Sequence, residues 1–322
     1  MTGSGYTGWL ALVLFGASAT VQADSEALQW LARMSRAAQS INYTGTFVYQ
    51  HQGKLASLNI VHAGDEGGER ERLWSLTGAR REVLRDGRTI VCILGDRNTV
   101  HVQTVHPGTP FQVDFPREWK ETGKYYRFEV GGRDRVADRG CSVVSVTPLD
   151  RMRYARRYCI DEARYLWLRS DLVDPDGRVI EQMMFTKLDF PAHIDARTLQ
   201  PELEHGGFSR WRTPEHKPES GNSANASRWQ ISQLPPGFML TDHGQYQRSA
   251  TESVGEQWMY SDGLASVSVY IEPSSGRDDY GGMTHQGALN VYATMLGGYY
   301  VTLVGDVPRK TVEIIGRSIH IR

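Results

Sequence analysis

The chain has 322 residues, 40% hydrophobic and 10% aromatic, with 36 basic and 37 acidic side chains. That length predicts about two domains. A net charge of −1 excludes a strongly cationic nucleic-acid binder and a polyacidic tail protein.

Residues 1–23 contain no Asp, Glu, Lys or Arg, and Trp9–Phe15 is a short apolar run followed by small residues. Val21-Gln22-Ala23 has the small-x-small pattern of a secretory signal cleaved after Ala23, with Ala17-Ser18-Ala19 as a second possible site. The run falls short of the roughly 20 apolar residues of a spanning helix; an uncleaved anchor is the alternative reading. The mature chain is expected in an extracytoplasmic, oxidising compartment. From Asp24 to Ser40, Ala27, Trp30, Leu31, Met34 and Ala38 recur at spacings of three and four, which predicts an amphipathic helix.

The period then changes to two. Strands are expected over 43–49, 55–62, 70–76, 80–86, 89–94, 125–130, 141–147, 154–159, 164–173 and 178–188, with turns at Gln52-Gly53, Thr77-Gly78, Asp86-Gly87 and Asp174-Pro-Asp-Gly177. Such a long antiparallel meander curls, and its concave face needs a cover. The candidates are the first helix and the 105–121 loop with Phe111, Phe115 and Trp119. Cys141 and Cys159 lie symmetrically about position 150, so a hairpin centred there would oppose them and permit a disulfide; the alternative is separate buried thiols. Cys92, within an apolar run, is expected to be a buried free thiol.

Phe47, Tyr49, Trp74, Tyr126, Phe128, Tyr154, Trp167, Met183 and Phe185 sit on candidate strands. They form core if helices fill the concave face, or line an acyl-chain cavity if a hollow remains. Arg151, Arg153, Arg156 and Arg157 form a basic cluster at a hairpin tip, either a solvated tip with local ion pairs or a seat for an anionic head group. No nucleophile elbow, phosphate loop, dinucleotide fingerprint or zinc spacing is present, so no catalytic residue, metal or cofactor is assigned.

Residues 201–226, rich in Gly, Pro, Ser and Asn, are expected to be a flexible linker dividing a 24–200 domain from a 227–322 domain. In the second, strands are expected over 229–234, 256–260, 264–272, 290–295 and 299–305, and Pro308 opens a helix with Val312, Ile315 and Ile319 on one face. The fold class is mainly β (α+β).

Several segments together resemble the RseB/MucB family. In the first domain these are Tyr43-Thr-Gly-Thr-Phe-Val-Tyr49, Gly78-Ala-Arg-Arg-Glu-Val-Leu-Arg85, Pro148-Leu-Asp-Arg-Met-Arg-Tyr154 and Glu181-Gln-Met-Met-Phe-Thr186. In the second they are Leu234-Pro-Pro-Gly-Phe238, Ser261-Asp-Gly-Leu264 with Ser268-Val-Tyr-Ile-Glu272, and Val304-Gly-Asp-Val-Pro308; Asp138 departs from the family's more usual Gly. The resemblance implies a first domain like LolA and LolB, an unclosed antiparallel β-barrel with covering helices, and a smaller C-terminal β-sheet domain with a terminal helix that contacts the partner. It implies a periplasmic negative regulator of the envelope-stress sigma factor (sigma-E or AlgU type). The partner would be the periplasmic segment of a membrane anti-sigma factor (RseA or MucA type), shielded from site-1 proteolysis and released by lipopolysaccharide or lipoprotein acyl chains. A homodimer or larger species is also implied. A periplasmic lipoprotein carrier or chaperone is the alternative function.

Overall fold

The computed structural model describes residues 18–65, 68–87, 89–104, 119–203, 206–212, 227–246, 254–274 and 281–322. The apolar run of the expected signal and most of the 105–121 loop, including Phe111 and Phe115, lie outside these residues. The first described element is α1 (Ser18–Ser40), longer at its start than the periodicity predicts. No described helix is long and apolar enough to cross a membrane. Ala27, Leu31 and Met34 are fully buried, so the spacing of three and four does mark the face that packs.

The strands that follow are β1 (Tyr43–His51), β2 (Lys54–Asp65), β3 (Gly68–Ser75), β4 (Arg81–Asp86), β5 (Thr89–Leu94) and β6 (Thr99–Thr104). After the short α2 (Trp119–Thr122) come β7 (Tyr126–Val136), β8 (Arg139–Pro148), β9 (Ala155–Asp161), β10 (Trp167–Val173), β11 (Val179–Asp189) and β12 (Ser209–Arg212). Together they make one sheet in the order β12-β6-β5-β4-β3-β2-β1-β11-β10-β9-β8-β7. Its edges, β7 and β12, do not pair, so the barrel stays open. Two antiparallel meanders run outward from the central β1–β11 pair. α1 lies across the inner face over β7, β8 and β2. Trp119, which opens α2, is buried beside it and donates its indole N–H to the Ser35 hydroxyl at 2.9 Å.

The Cys141–Cys159 disulfide is present, with the Cα atoms 5.4 Å apart. The hairpin pairs Cys141 with Asp161 and Val143 with Cys159, so its centre is 151 rather than 150. The bridge is therefore diagonal, joining neighbours on one face two residues apart in register. Cys92 is free and half-buried.

Of the linker expected over 201–226, the structure places 201–203 and 206–212 against the first domain. Residues 190–203 run as a strap over the outer face of the sheet, and 206–212 continue along its β6 edge. Ile194 and Leu199 pack on Val61 and Ala63, and Leu203 packs on Ile93 and Val100. The buried Glu82 carboxylate accepts the N–H groups of Glu202 at 3.1 Å and Leu203 at 2.7 Å, and Arg72 lies 3.3 Å from it. The strap ends as β12, parallel to β6. Its polar sequence hides its few apolar anchors, and a strand pairing this distant leaves no local signal. Residues 213–226 lie outside the described set.

The second domain contains β13 (Trp229–Ile231), β14 (Met239–Tyr246), β15 (Gly255–Ser261), β16 (Ser266–Pro273), β17 (Gly282–Gln286), β18 (Leu289–Leu296), β19 (Tyr299–Gly305), α3 (Arg309–Arg317) and β20 (Ile319–Ile321). Its main sheet is ordered β14-β15-β16-β19-β18-β17, and β13 pairs with β20. The glycine pair Gly297-Gly298, at φ +58° and +81°, makes the tight β18–β19 turn. Val312 and Ile315 of α3 are fully buried with Val267, Val269, Val301 and Leu303.

Candidate functional site

Two places gather functional side chains: the inner face of the open sheet, and the seam where the second domain meets one end of it.

On the inner face, Phe47, Tyr126, Phe128, Trp167 and Phe185 are buried in one cluster with Ala27, Leu31 and Met34 of α1. Phe185 contacts Phe47 edge-on at 5.8 Å and Trp167 at 5.0 Å between ring centres. The helix thus fills the middle of the hollow, and these five side chains are core. Tyr49 and Met183 are half-buried at the margin of the same cluster. Trp74 is not on this face. Its register against Asn59 and Glu82 turns it outward, where it packs with the strap cluster under the Arg72 guanidinium, 4.5 Å from the ring centre. A shift of one residue exchanges faces in a strand, and the aromatic pattern alone did not place it. Tyr154 lies in the seam, its hydroxyl 3.0 Å from the Asn290 amide nitrogen.

Beyond α1 the same face continues through residues that the aromatic pattern did not single out. Ile60 pairs with Leu73, Leu73 with Val83, and Val83 with Cys92. Leu58 and Leu94 stand on this face by the same alternation. Leu58, Leu73, Val83, Cys92 and Leu94 are only half-buried, so an apolar strip remains accessible on the described surface. Burial pushes the Cys92 thiol up, keeping it neutral. At the far end the strip turns polar. Tyr43 stacks on His62 at 4.7 Å, the His62 Nδ1 lies 2.8 Å from the Ile41 carbonyl oxygen, and Glu69 pairs with Arg85 at 3.1 Å. Burial pushes the Glu71 carboxyl above the ordinary range there.

The seam is built around the basic hairpin tip. Arg153 is fully buried. Its Nε meets the Asp262 carboxylate of the second domain at 2.5 Å, and its other nitrogens reach Asp150 and the Pro236 carbonyl. The rings of Tyr125, Tyr126 and Phe238 lie 5.2–5.6 Å from the guanidinium carbon. Tyr126 donates its hydroxyl to the same Asp262 oxygen at 2.8 Å. Arg156 donates to the Leu264 carbonyl at 2.9 Å and to Asp306 at 3.1 Å. Burial pushes the Asp306 carboxyl up, and Arg156 opposes that shift. Thr311 donates its hydroxyl to the Met152 carbonyl at 2.8 Å, and the Ala288 N–H donates to Glu181 at 2.8 Å. The remaining members of the cluster pair locally: Arg151 with Asp176 at 2.7 Å, and Arg157 with Asp171 at 3.0 Å. The four arginines are therefore engaged by carboxylates, and Arg153 is closed to any external head group. Pro236, Phe238, Asp262, Leu264 and Asp306, which meet them across the seam, all lie in segments that carry the family resemblance, but nothing in the sequence marks them as ligands of arginine.

An unclosed sheet with a residual apolar strip, joined end-on to a second sheet through buried ion pairs, defines a two-domain β-rich binding protein. The chain belongs to the MucB/RseB family: the family's N-terminal domain model matches residues 26–203 and its C-terminal domain model residues 223–320. It is 32% identical over 316 residues to the sigma factor AlgU regulatory protein MucB of Pseudomonas aeruginosa, covering 96% of each chain. It is 29% identical to the sigma-E factor regulatory protein RseB of Escherichia coli K12, covering 95% of this chain and 94% of that one. Among solved structures, the MucA/MucB complex of Pseudomonas aeruginosa aligns over 92% of this chain and 99% of that chain with a TM-score of 0.73 and 31% identity. A further crystal structure of MucB aligns over 92% of this chain and 98% of that one with a TM-score of 0.63 and 29% identity.

Proposed function

We propose that this chain is a periplasmic negative regulator of an envelope-stress sigma factor, acting through the periplasmic segment of a membrane anti-sigma factor. The observation that carries this reading is the match of both domains, in order, to MucB solved with MucA. In this reading the bound segment is shielded from site-1 proteolysis. The N-terminal apolar run exports the chain, and cleavage after Ala23 leaves a mature protein of two domains, the first running through β12 and the second over 227–322.

The release signal is an acyl chain of lipopolysaccharide or lipoprotein. The half-buried strip Leu58, Leu73, Val83, Cys92 and Leu94 supports this part, with Tyr49 and Met183 at its margin. Each buried methylene contributes about 0.8 kcal/mol, so a few carbons give useful affinity. Lipid can loosen the partner only through different affinities for the partner-bound and free states. The exposed Arg151 and the half-buried Arg157 remain the members of the basic cluster able to meet an anionic head group; Arg153 does not.

The test is titration of the purified chain with the periplasmic segment of its cognate anti-sigma factor, followed by site-1 protease digestion with and without lipopolysaccharide. Expected are micromolar or tighter binding, slowed cleavage, and lipid-dependent release; absence of binding refutes the reading. The apolar strip also suits a lipoprotein carrier. That alternative predicts mislocalised lipoproteins on depletion, with sigma-factor output unchanged. Light scattering on the same samples reports whether the chain forms a homodimer.

A further inference from the structure

We infer that Arg153 is a positioning residue for the partner: its buried pair with Asp262 holds the two domains in the arrangement that binds the anti-sigma segment. This rests on the regulatory reading above, and it adds the residues that set the binding-competent geometry.

The seam has the character of a built latch. Arg153 and Asp262 come from different domains, are separated by 109 positions in the chain, and are both fully withdrawn from water. A buried charge is tolerated only when its partner and its remaining hydrogen-bonding groups are satisfied. Here they are. The guanidinium takes Asp262, Asp150 and the Pro236 carbonyl, while Asp262 also accepts the Tyr126 hydroxyl and the N–H groups of Leu264 at 2.9 Å and Ala265 at 2.8 Å. The set is complete only when the domains meet, so removing one partner while they stay together leaves the other charge buried and uncompensated.

Shape reinforces the charge. Gly237, at φ +88°, lies so close to the Tyr125 ring that an added Cβ would overlap it. The backbone of the second domain therefore approaches the first at a point where a side chain does not fit.

Two structures of MucB with MucA each align over 92% of this chain with TM-scores of 0.71 and 0.73, and a further crystal structure of MucB aligns over 92% with 0.63. As a whole the chain therefore aligns better with MucB solved with MucA than with that further structure.

The experiment uses the full mature chain and three variants: Arg153→Met, Gly237→Ala, and the double variant Arg153→Met/Asp262→Asn. Affinity for the cognate anti-sigma periplasmic segment is measured by calorimetry, and domain placement by small-angle X-ray scattering. Arg153→Met is expected to weaken binding by about tenfold or more and to enlarge the radius of gyration. Gly237→Ala, which disturbs the seam without touching a charge, should do the same. The double variant should recover part of the affinity, because it no longer strands the Asp262 charge. A role confined to stability would lower the melting temperature and leave the affinity unchanged well below it. The inference is overturned if Arg153→Met and Gly237→Ala bind like the unmodified chain. It is equally overturned if they bind weakly with unchanged scattering. If the unmodified chain binds no anti-sigma segment, the regulatory reading fails instead, and scattering by the variants still decides whether Arg153 holds the domains together.

Discussion

Removing the Cys141–Cys159 bridge gives a quantitative check on the first domain. The crosslink joins positions 18 apart on neighbouring strands whose hairpin also carries Arg153. Loop-closure entropy for a ring of this size gives about 3 kcal/mol of stabilisation, through restriction of the unfolded chain. Both cysteines are fully buried, so Cys→Ala adds a small packing loss at each position. The crosslink needs both sulfurs, so C141A alone should lose nearly all of that energy and C159A should lose it again. The double variant C141A/C159A should be little worse than either single one. Urea unfolding followed by circular dichroism, in non-reducing buffer, measures all four species. The expected coupling between the sites is about 3 kcal/mol, against the few tenths typical of independent positions. Additive losses, or a single variant indistinguishable from the oxidised parent, would refute the assignment of stability to this crosslink.

Three other outcomes are expected. E82A deprives the Glu202 and Leu203 N–H groups of their acceptor and Arg72 of one of its carboxylates; a destabilisation of about 3 kcal/mol is expected, with hydrogen exchange accelerating first over 202–212. Maleimide labelling of Cys92, already slowed by its raised thiol pKa, should slow several-fold further when acyl lipid occupies the strip, and an unaltered rate would exclude lipid from that face. Because burial raises the Asp306 carboxyl in the folded state, its contribution is most favourable in acid and is lost as pH rises through the raised value; D306N should abolish this part of the slope in melting temperature against pH.

The parts of the fold legible in the sequence were those governed by local periodicity. The spacing of Ala27, Leu31 and Met34 placed the buried face of α1, and the period of two over Tyr43–Tyr49 marked β1 as a strand. Turn residues located the hairpins at Gln52-Gly53, Asp86-Gly87 and Gly297-Gly298, each with glycine at positive φ. What stayed hidden depends on contacts far apart in the chain. β12 has no strand pattern of its own and exists through β6, while Asp242, His243 and Gly244 interrupt the apolar run of β14. Aromatic content carries no sidedness, so the outward placement of Trp74 follows only from its register against Asn59 and Glu82. The arginine cluster was visible, but the second-domain carboxylates that take Arg153 and Arg156 lie more than a hundred residues downstream, so these two members leave the expected solvent-facing tip for the seam while Arg151 and Arg157 pair locally.

The parallel β12 has one more consequence. It carries the chain to the edge of the large sheet farthest from β7, leaving residues 213–226 to connect Arg212 with the second domain. At no more than about 3.6 Å per residue, that leash reaches roughly 50 Å. Were the latch to open, the covalent connection would keep the second domain within that distance of the first, so reclosure would need no encounter between separate molecules. A signal that opens the seam would therefore produce a reset that is fast and independent of how much protein the cell contains.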